Sequence, residues 1–211
     1  MDVNKFDEKA ATWDDDPAKV ARAADIARAI RATVSLTPAT RLLEYGAGTG
    51  LVTQALRESV GPVTLVDTSA GMREVMHDKI AAGAITEARV WDLDLATASA
   101  PDECFDLIVT VLTLHHIPTL DRVLANFAEL LDDGGHLCIA DLEKEDGSFH
   151  GEGFDGHHGF SRSEMESLLL AADFTEVSVE RCCELVRDGH SYGVFLATGS
   201  RSARSASRRG R

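Results

Sequence analysis

No run of apolar residues in this 211-residue chain is long enough to cross a bilayer as a helix. The stretch from Met1 to Trp13 is polar and acidic and lacks the apolar segment of a secretory signal. Cysteine is scarce. Cys104, Cys138, Cys182 and Cys183 form no C-x-x-C pair and no zinc-ligand spacing. They read as reduced core thiols, three of them in strand-like apolar runs, and a cytoplasmic location is expected. The pattern G-x-x-x-x-G-K-S/T is absent, which excludes a P-loop. Positive charge is also short, with 21 Lys and Arg against 35 Asp and Glu and a formal net charge of -14. Five arginines and no acid lie between Arg201 and Arg211, so the remainder stands near -19. Such an acidic body repels phosphate backbones, and neither a nucleic-acid nor a membrane partner is expected. Residues 201–211, rich in Ser and Arg, cannot bury a core and are expected to be disordered. They are either a basic arm for an acidic partner or a solvated extension.

What is present alternates between two periodicities. Short apolar runs at 41–45, 63–67, 88–91, 105–111 and 136–140 are bounded by Gly, Pro or Asp, as buried parallel strands are. Helical patterns at 49–60, 70–82 and 119–131 separate most of them, while 92–104 is less clearly helical. Asp16-Pro17 opens an earlier helix reaching about Arg31, with Pro17 at its first position. Ser161-Arg-Ser-Glu164 is a capping-box pattern that starts a helix reaching about Ala172. Strands at 175–186 and 191–198 flank Asp188-Gly189, a hairpin turn signal. The fold expected is α/β: a Rossmann-like, seven-stranded, mostly parallel sheet with helices on both faces and a C-terminal antiparallel hairpin. A single domain is expected over 1–200, with 1–35 a cap segment and helix. Ligands of such sheets sit outside the carboxyl ends of the strands, where strand order reverses.

The segment Leu42-Leu-Glu-Tyr-Gly-Ala-Gly-Thr-Gly50 runs from a strand into a helix. Gly46, Gly48 and Gly50 allow a tight turn and close approach to a ligand. Compared with G-x-G-x-x-G, the third Gly comes one residue early, and Glu44 precedes the first by two. A carboxylate there repels a diphosphate but suits a ligand carrying an ammonium and a sulfonium. Asp67 ends the second strand about twenty residues on, where a carboxylate accepts both ribose hydroxyls. The bland alternative is a cap over Ser69 to Met72. Asp92 could accept from an adenine amino group, with Leu93 and Met72 sandwiching the ring. Asp94 competes for that role.

The set Glu44-Tyr-Gly-Ala-Gly-Thr-Gly50, Asp67, Asp92-Leu93, Phe105-Asp106, Leu114-His-His-Ile117 and Leu130-Leu-Asp-Asp-Gly-Gly135 resembles the class I S-adenosylmethionine-dependent methyltransferases. The small-molecule branch, of ubiquinone/menaquinone or type 11 methyltransferases, looks closest, and the resemblance spans about residues 40 to 198. It implies S-adenosylmethionine as cofactor and S-adenosylhomocysteine as product. It places Gly46, Ala47, Gly48 and Gly50 at the methionine moiety, Asp67 at the ribose, Asp92 and Leu93 at the adenine, and Thr110 near the sulfonium, with Thr68 and Met72 also among the cofactor-binding residues. It reads Gly134-Gly135 as a turn into the fifth strand. Phe6-Asp-Glu-Lys-Ala-Ala-Thr-Trp-Asp14 looks like the family's cap, with Phe6 and Trp13 either closing over the methyl group or anchoring a helix against the sheet.

His115 follows the fourth strand and could remove a proton from the acceptor; His116 could do so only in its place. The Gly-rich segment from Asp141 to Phe160 departs from the commonest family pattern and reads as a mobile lid, with Phe149, Phe154 and Phe160 as apolar contacts. His157 or His158 could reach the acceptor from it. A metal held by His150, His157, His158, Glu152 and Asp155 matches no strong zinc spacing, so no metal is expected. The reaction implied is in-line methyl transfer to a small-molecule acceptor. A non-catalytic S-adenosylmethionine-binding or regulatory module is the rival, recognisable by an open acceptor side. A nicotinamide dehydrogenase fits less well, given the early third Gly and the lack of a Tyr-x-x-x-Lys pair.

Overall fold

The computed structural model describes residues 3–202. Seven strands form one sheet: β1 (Leu42–Tyr45), β2 (Val63–Val66), β3 (Ala88–Trp91), β4 (Phe105–Val111), β5 (Leu131–Leu142), β6 (Phe174–Arg187) and β7 (His190–Arg201). Their order is β3-β2-β1-β4-β5-β7-β6, parallel except for β7, which runs antiparallel to both of its neighbours. The sheet is the Rossmann-like arrangement expected. Its order reverses between β1 and β4, so the switch-point crevice opens beside the glycine segment that follows β1.

The continuous apolar runs arise because the central strands are covered on both faces. Every residue of β1 and β2 is buried. Alternate side chains serve two separate cores. Leu42, Leu65, Leu107, Val109 and Cys138 face one, with Ile26 and Ile30 of helix α2 (Pro17–Thr33) and Leu56 of α3 (Leu51–Leu56). Leu43, Ile108, Leu137 and Ile139 face the other, with Phe127 of α5 (Asp121–Leu130) and Met165 and Leu169 of α6 (Arg162–Ala171). The remaining helices are the short α1 (Val3–Asp7) and α4 (Ala70–Ala81). Local signals act as expected. Asp16 caps α2 through Ala18 N, and Ser161 with Glu164 forms the full capping box of α6. Asp188 and Gly189 both take positive φ in the two-residue turn between β6 and β7.

Several expectations are corrected. Gly134-Gly135 is not a turn before the fifth strand. β5 already starts at Leu131, and a bulge between the Phe105↔Leu131 and Leu107↔His136 pairs absorbs the polar residues. β7 extends to Arg201, which the sequence reading had assigned to the tail, because Ser200 and Arg201 still pair with Thr175 and Phe174. The rest of that tail, 203–211, lies outside the described residues. The helix expected over 49–60 is shorter, with α3 passing into a 3-10 turn at Arg57–Ser59. The stretch 92–104 contains no helix. Buried Asn126 donates to Leu95 O and Ala98 O and accepts from Ala100 N, which satisfies that loop's backbone groups. Of the cysteines only Cys138 is fully buried; Cys104, Cys182 and Cys183 are half-buried, and all four are free. Among the described residues no helix is long and apolar enough to cross a membrane.

Candidate active site

Gly46, Gly48 and Gly50 all adopt left-handed φ, at 69°, 56° and 79°. Their reasons differ. A Cβ on Gly46 would run into the Thr113 side chain, whereas one on Gly48 would meet nothing within 4 Å. Space is therefore open in front of Gly48, as a ligand-approach position needs. Gly50 is the N-cap of α3 and has no side chain to offer its backbone donors. Glu44 fills that role from β1. Its Oε2 accepts from Thr53 N at 3.0 Å and from Thr53 Oγ1 at 2.5 Å. Burial pushes the Glu44 carboxyl up to about 7, although the Thr53 bonds oppose the rise. One Glu44 oxygen is thus committed to α3, a structural task that sequence reading missed.

Asp67 follows β2 and lies in the crevice. Its Oδ2 accepts from Gly48 N at 2.7 Å and its Oδ1 from Ser69 N at 2.9 Å. Burial holds its pKa above the usual carboxylate range despite those two bonds. Ser69, not Asp67, caps α4 at Met72 N. Thr68 is half-buried beside Asp67, and Ala47 and Met72 are buried. Arg73, which sequence reading overlooked, donates to Asp67 O and pairs with Asp92 Oδ2, each at 2.9 Å. Asp92 is otherwise exposed, and Leu93 packs partly on the α5-side core. Asp94 caps its own turn through Ala96 N and Thr97 Oγ1. Thr110 is buried on β4 and its hydroxyl has no hydrogen-bond partner. Open space at Gly48, a crevice carboxylate at Asp67 and an unpartnered hydroxyl at Thr110 together fit S-adenosylmethionine.

The N-terminal segment lies against these loops. Asp7 Oδ1 accepts from Ser69 Oγ at 2.5 Å and from Gly71 N at 2.9 Å. A Cβ on Gly71 would crowd the Asp7 backbone, so the close approach needs glycine there. In the 3-10 segment Ala10–Asp15, Asp14 accepts from Thr49 Oγ1 and pairs with Lys79 Nζ, both at 2.5 Å. Phe6 packs on Trp13, with ring centroids 6.2 Å apart, and edge-on against His116 at 5.5 Å. Lys19 Nζ sits 4.0 Å above the Trp13 ring.

Beyond β4, the 3-10 turn Leu114–His116 carries both histidines. His115 is buried, and its Nδ1 lies 2.6 Å from Oδ1 of Asp141. Asp141 is fully buried and also accepts from His115 N and Leu142 N. It was expected at the start of the lid, but it belongs to β5. The rings of His115, His116 and His150 cluster with centroids 4.1, 5.0 and 5.2 Å apart. Burial, and then the neighbouring imidazoles, push His116 down to about 3 and His150 down to about 4. Phe154 stacks on His150 at 3.8 Å and 8°.

The structure also shows how the expected lid is held. Lys144 N donates to Phe160 O and Phe160 N to Leu142 O, which closes its stem, and Phe149 and Phe160 are buried. The stem of the expected lid is therefore paired and anchored. Within it His157 donates its backbone N–H to His115 O at 2.7 Å, and its Nε2 lies 3.0 Å from Ile117 O. His158 Nδ1 is 3.2 Å from Glu145 Oε1, within ion-pair reach though not hydrogen-bonded. Both rings are thus engaged along the stem, while His150 joins His115.

The chain matches the family described as Methyltransferase domain over residues 9–179. A malonyl-(acyl-carrier protein) O-methyltransferase of Geobacter sulfurreducens is 30% identical over 193 residues, 83% of this chain and 70% of that protein. A ubiquinone/menaquinone biosynthesis C-methyltransferase of Stutzerimonas stutzeri is 27% identical over 150 residues, 68% of this chain and 58% of that protein. The chain spans little more than half the length of the first curated relatives it matches, 54% and 58%. Among solved structures, the N-methyltransferase NodS of Bradyrhizobium japonicum, in complex with S-adenosyl-L-homocysteine, shares the fold. It has a TM-score of 0.71 at 19% identity, covering 94% of this chain and 97% of that one.

Proposed function

Because the chain belongs to the methyltransferase-domain family, whose methyl donor is S-adenosylmethionine, we propose that it transfers that methyl group to a small-molecule acceptor. The observation that carries the reading is the Asp67 carboxylate bonded to Gly48 N at the edge of the open space before the glycine turn. In this reading Asp67 accepts from the ribose hydroxyls, with Thr68 beside it. Gly46, Ala47, Gly48 and Gly50 let the methionine portion approach the backbone, and the Thr110 hydroxyl meets its polar end. Leu93 and Met72 flank the adenine, and Asp92, held by Arg73, accepts from its amino group. Glu44 orders the start of α3, the helix that follows the glycine turn.

When bound, S-adenosylmethionine supplies a methyl group on a sulfonium with a good leaving group. The chain's own residues then hold, dry and orient. Phe6 and Trp13 exclude water and present aromatic surface to a cation. Asp141 keeps a proton on Nδ1 of His115 and so fixes that ring, with its lone pair on Nε2. The covered acceptor side, closed by the cap and the lid, supports an enzyme over a binding module. The match over 9–179 supports one methyltransferase domain across 1–200. Four free cysteines suit a reducing compartment, hence the cytoplasm.

The test is incubation with methyl-labelled S-adenosylmethionine and separate small-molecule, nucleic-acid and protein fractions. Label entering the small-molecule fraction is expected. Label confined to nucleic acid or protein would contradict the acceptor class.

A further inference from the structure

The metal ligands that the sequence offers, His150, His157, His158, Glu152 and Asp155, all lie in the lid, and the structure retains only His150 among them. The structure brings together a different set. Among the described residues, His115, His116 and His150 form a group in which one imidazole nitrogen from each ring lies within 4.8 Å of the other two. They come from two segments far apart in the chain. The lid carries His150 onto the turn that follows β4.

Three further observations distinguish this cluster from ordinary core histidines. First, Asp141 is fully buried and accepts at 2.6 Å from Nδ1 of His115, leaving Nε2 of that ring as the lone pair. A carboxylate behind a histidine is the usual support of a metal-bound imidazole, fixing its tautomer and orientation. Second, Nδ1 of His150 is buried and has no hydrogen-bond partner, a costly arrangement unless another group meets it. Third, Phe154 covers one face of His150, and Phe149 packs edge-on at 4.6 Å, giving the cluster the apolar surround that metal sites use.

We propose that His115, His116 and His150 form a divalent-metal centre, with zinc the best-suited ion and one position open for the acceptor. Three imidazoles with a vacant fourth position are the ligand set of catalytic zinc. Bonds of about 2.0–2.1 Å would draw the three nitrogens closer together than 4.8 Å. The place is chemically apt. Thr113, two residues before His115, touches Gly46 O, and Phe6 of the cap packs on His116. The centre therefore adjoins the glycine turn.

The role in transfer rests on the methyltransferase reading above; the binding site itself does not. An acceptor hydroxyl or thiol ligating the metal loses its proton to solvent at a lowered pKa. The resulting oxygen or sulfur anion forms a bond to the methyl carbon. The carbon–sulfonium bond breaks, its electron pair stays on sulfur, and a neutral thioether leaves. The acceptor class is thus one that reacts through an ionisable oxygen or sulfur.

The experiment is a titration of the metal-stripped full chain with cobalt(II), read by the intense visible bands of four-coordinate cobalt. His150→Ala, His116→Ala and the exposed-site control His77→Ala are run beside it. S-adenosylhomocysteine affinity is measured calorimetrically in each, as the check on fold and cofactor site. One equivalent of cobalt is expected in the parent and in His77→Ala, with the bands lost in the other two variants while S-adenosylhomocysteine still binds. Absence of the bands in the parent, or their survival in His150→Ala, overturns the centre and leaves the cofactor reading standing. If His116→Ala loses the cofactor site, the parent and His150→Ala decide alone.

Discussion

Asp67 accepts a 2.7 Å hydrogen bond from the backbone N–H of Gly48, so the end of β2 and the glycine turn are one unit. Its carboxylate shapes the turn, and in the proposed reading it also accepts from the ribose hydroxyls. Replacement of Asp67 by Ala removes the acceptor for two hydroxyls. Charge-assisted bonds contribute about 1.5–3 kcal/mol each, so S-adenosylhomocysteine affinity should fall at least about tenfold. Calorimetry on Asp67→Ala checks this, and an unchanged dissociation constant counts against the assignment.

Gly48 and Gly46 should respond differently to alanine. At Gly48 the added methyl meets no protein atom, and the fold bears only the left-handed backbone cost of about 1–2 kcal/mol. Cofactor binding should suffer more than stability, because that methyl fills the approach. At Gly46 the methyl collides with Thr113, and the thermal midpoint should drop further. Melting curves and S-adenosylhomocysteine titrations of the two variants separate these effects.

Glu44 makes stability depend on pH in a defined direction. Its carboxyl rises from 4.5 to about 7 in the fold. The folded state then holds a proton that the unfolded state releases, so this contribution is full below 4.5 and is lost as pH rises toward 7. The amount is on the order of 3 kcal/mol at 1.36 kcal/mol per pKa unit. Glu44→Gln keeps an acceptor for Thr53 N but does not titrate. Urea unfolding at pH 5 and pH 8 should show the variant gaining on the parent at the higher pH. A constant difference between the two pH values would remove Glu44 as the cause.

The two cover segments should differ in mobility. The stem amides of Lys144, Glu145 and Phe160 are bonded, and Phe149 and Phe160 are buried beneath them. Hydrogen exchange should find that stem protected without ligand, while the exposed tip at Gly151–Gly153 exchanges quickly. Asp14→Ala removes the hold on Thr49 and Lys79, and should speed exchange in residues 10–15. Equal protection of stem and tip would contradict this division.

The sheet was legible because its central strands are apolar on both faces, and because caps such as Asp16, Ser161 and Asp188-Gly189 act locally. The start of β5 was not, since Asp132-Asp133-Gly134-Gly135 reads as a turn, and only pairing with β4 makes it strand. The glycine turn and the crevice position of Asp67 were readable from spacing. Arg73, Asn126 and the Glu44 cap were not, because their bonds to Asp92, Leu95 and Thr53 follow no turn or capping pattern. The pairing of Asp141 with His115 and the recruitment of His150 likewise depend on how the lid folds back, which no local pattern records.

The central claim is that the turn after β1, with its third glycine one residue early, takes an adenosyl sulfonium cofactor and not a dinucleotide. Calorimetric titration of the purified chain with S-adenosylhomocysteine and, separately, with NAD tests it most directly. One equivalent of S-adenosylhomocysteine and no measurable NAD binding is the expected result. Tight NAD binding with none for S-adenosylhomocysteine would contradict it.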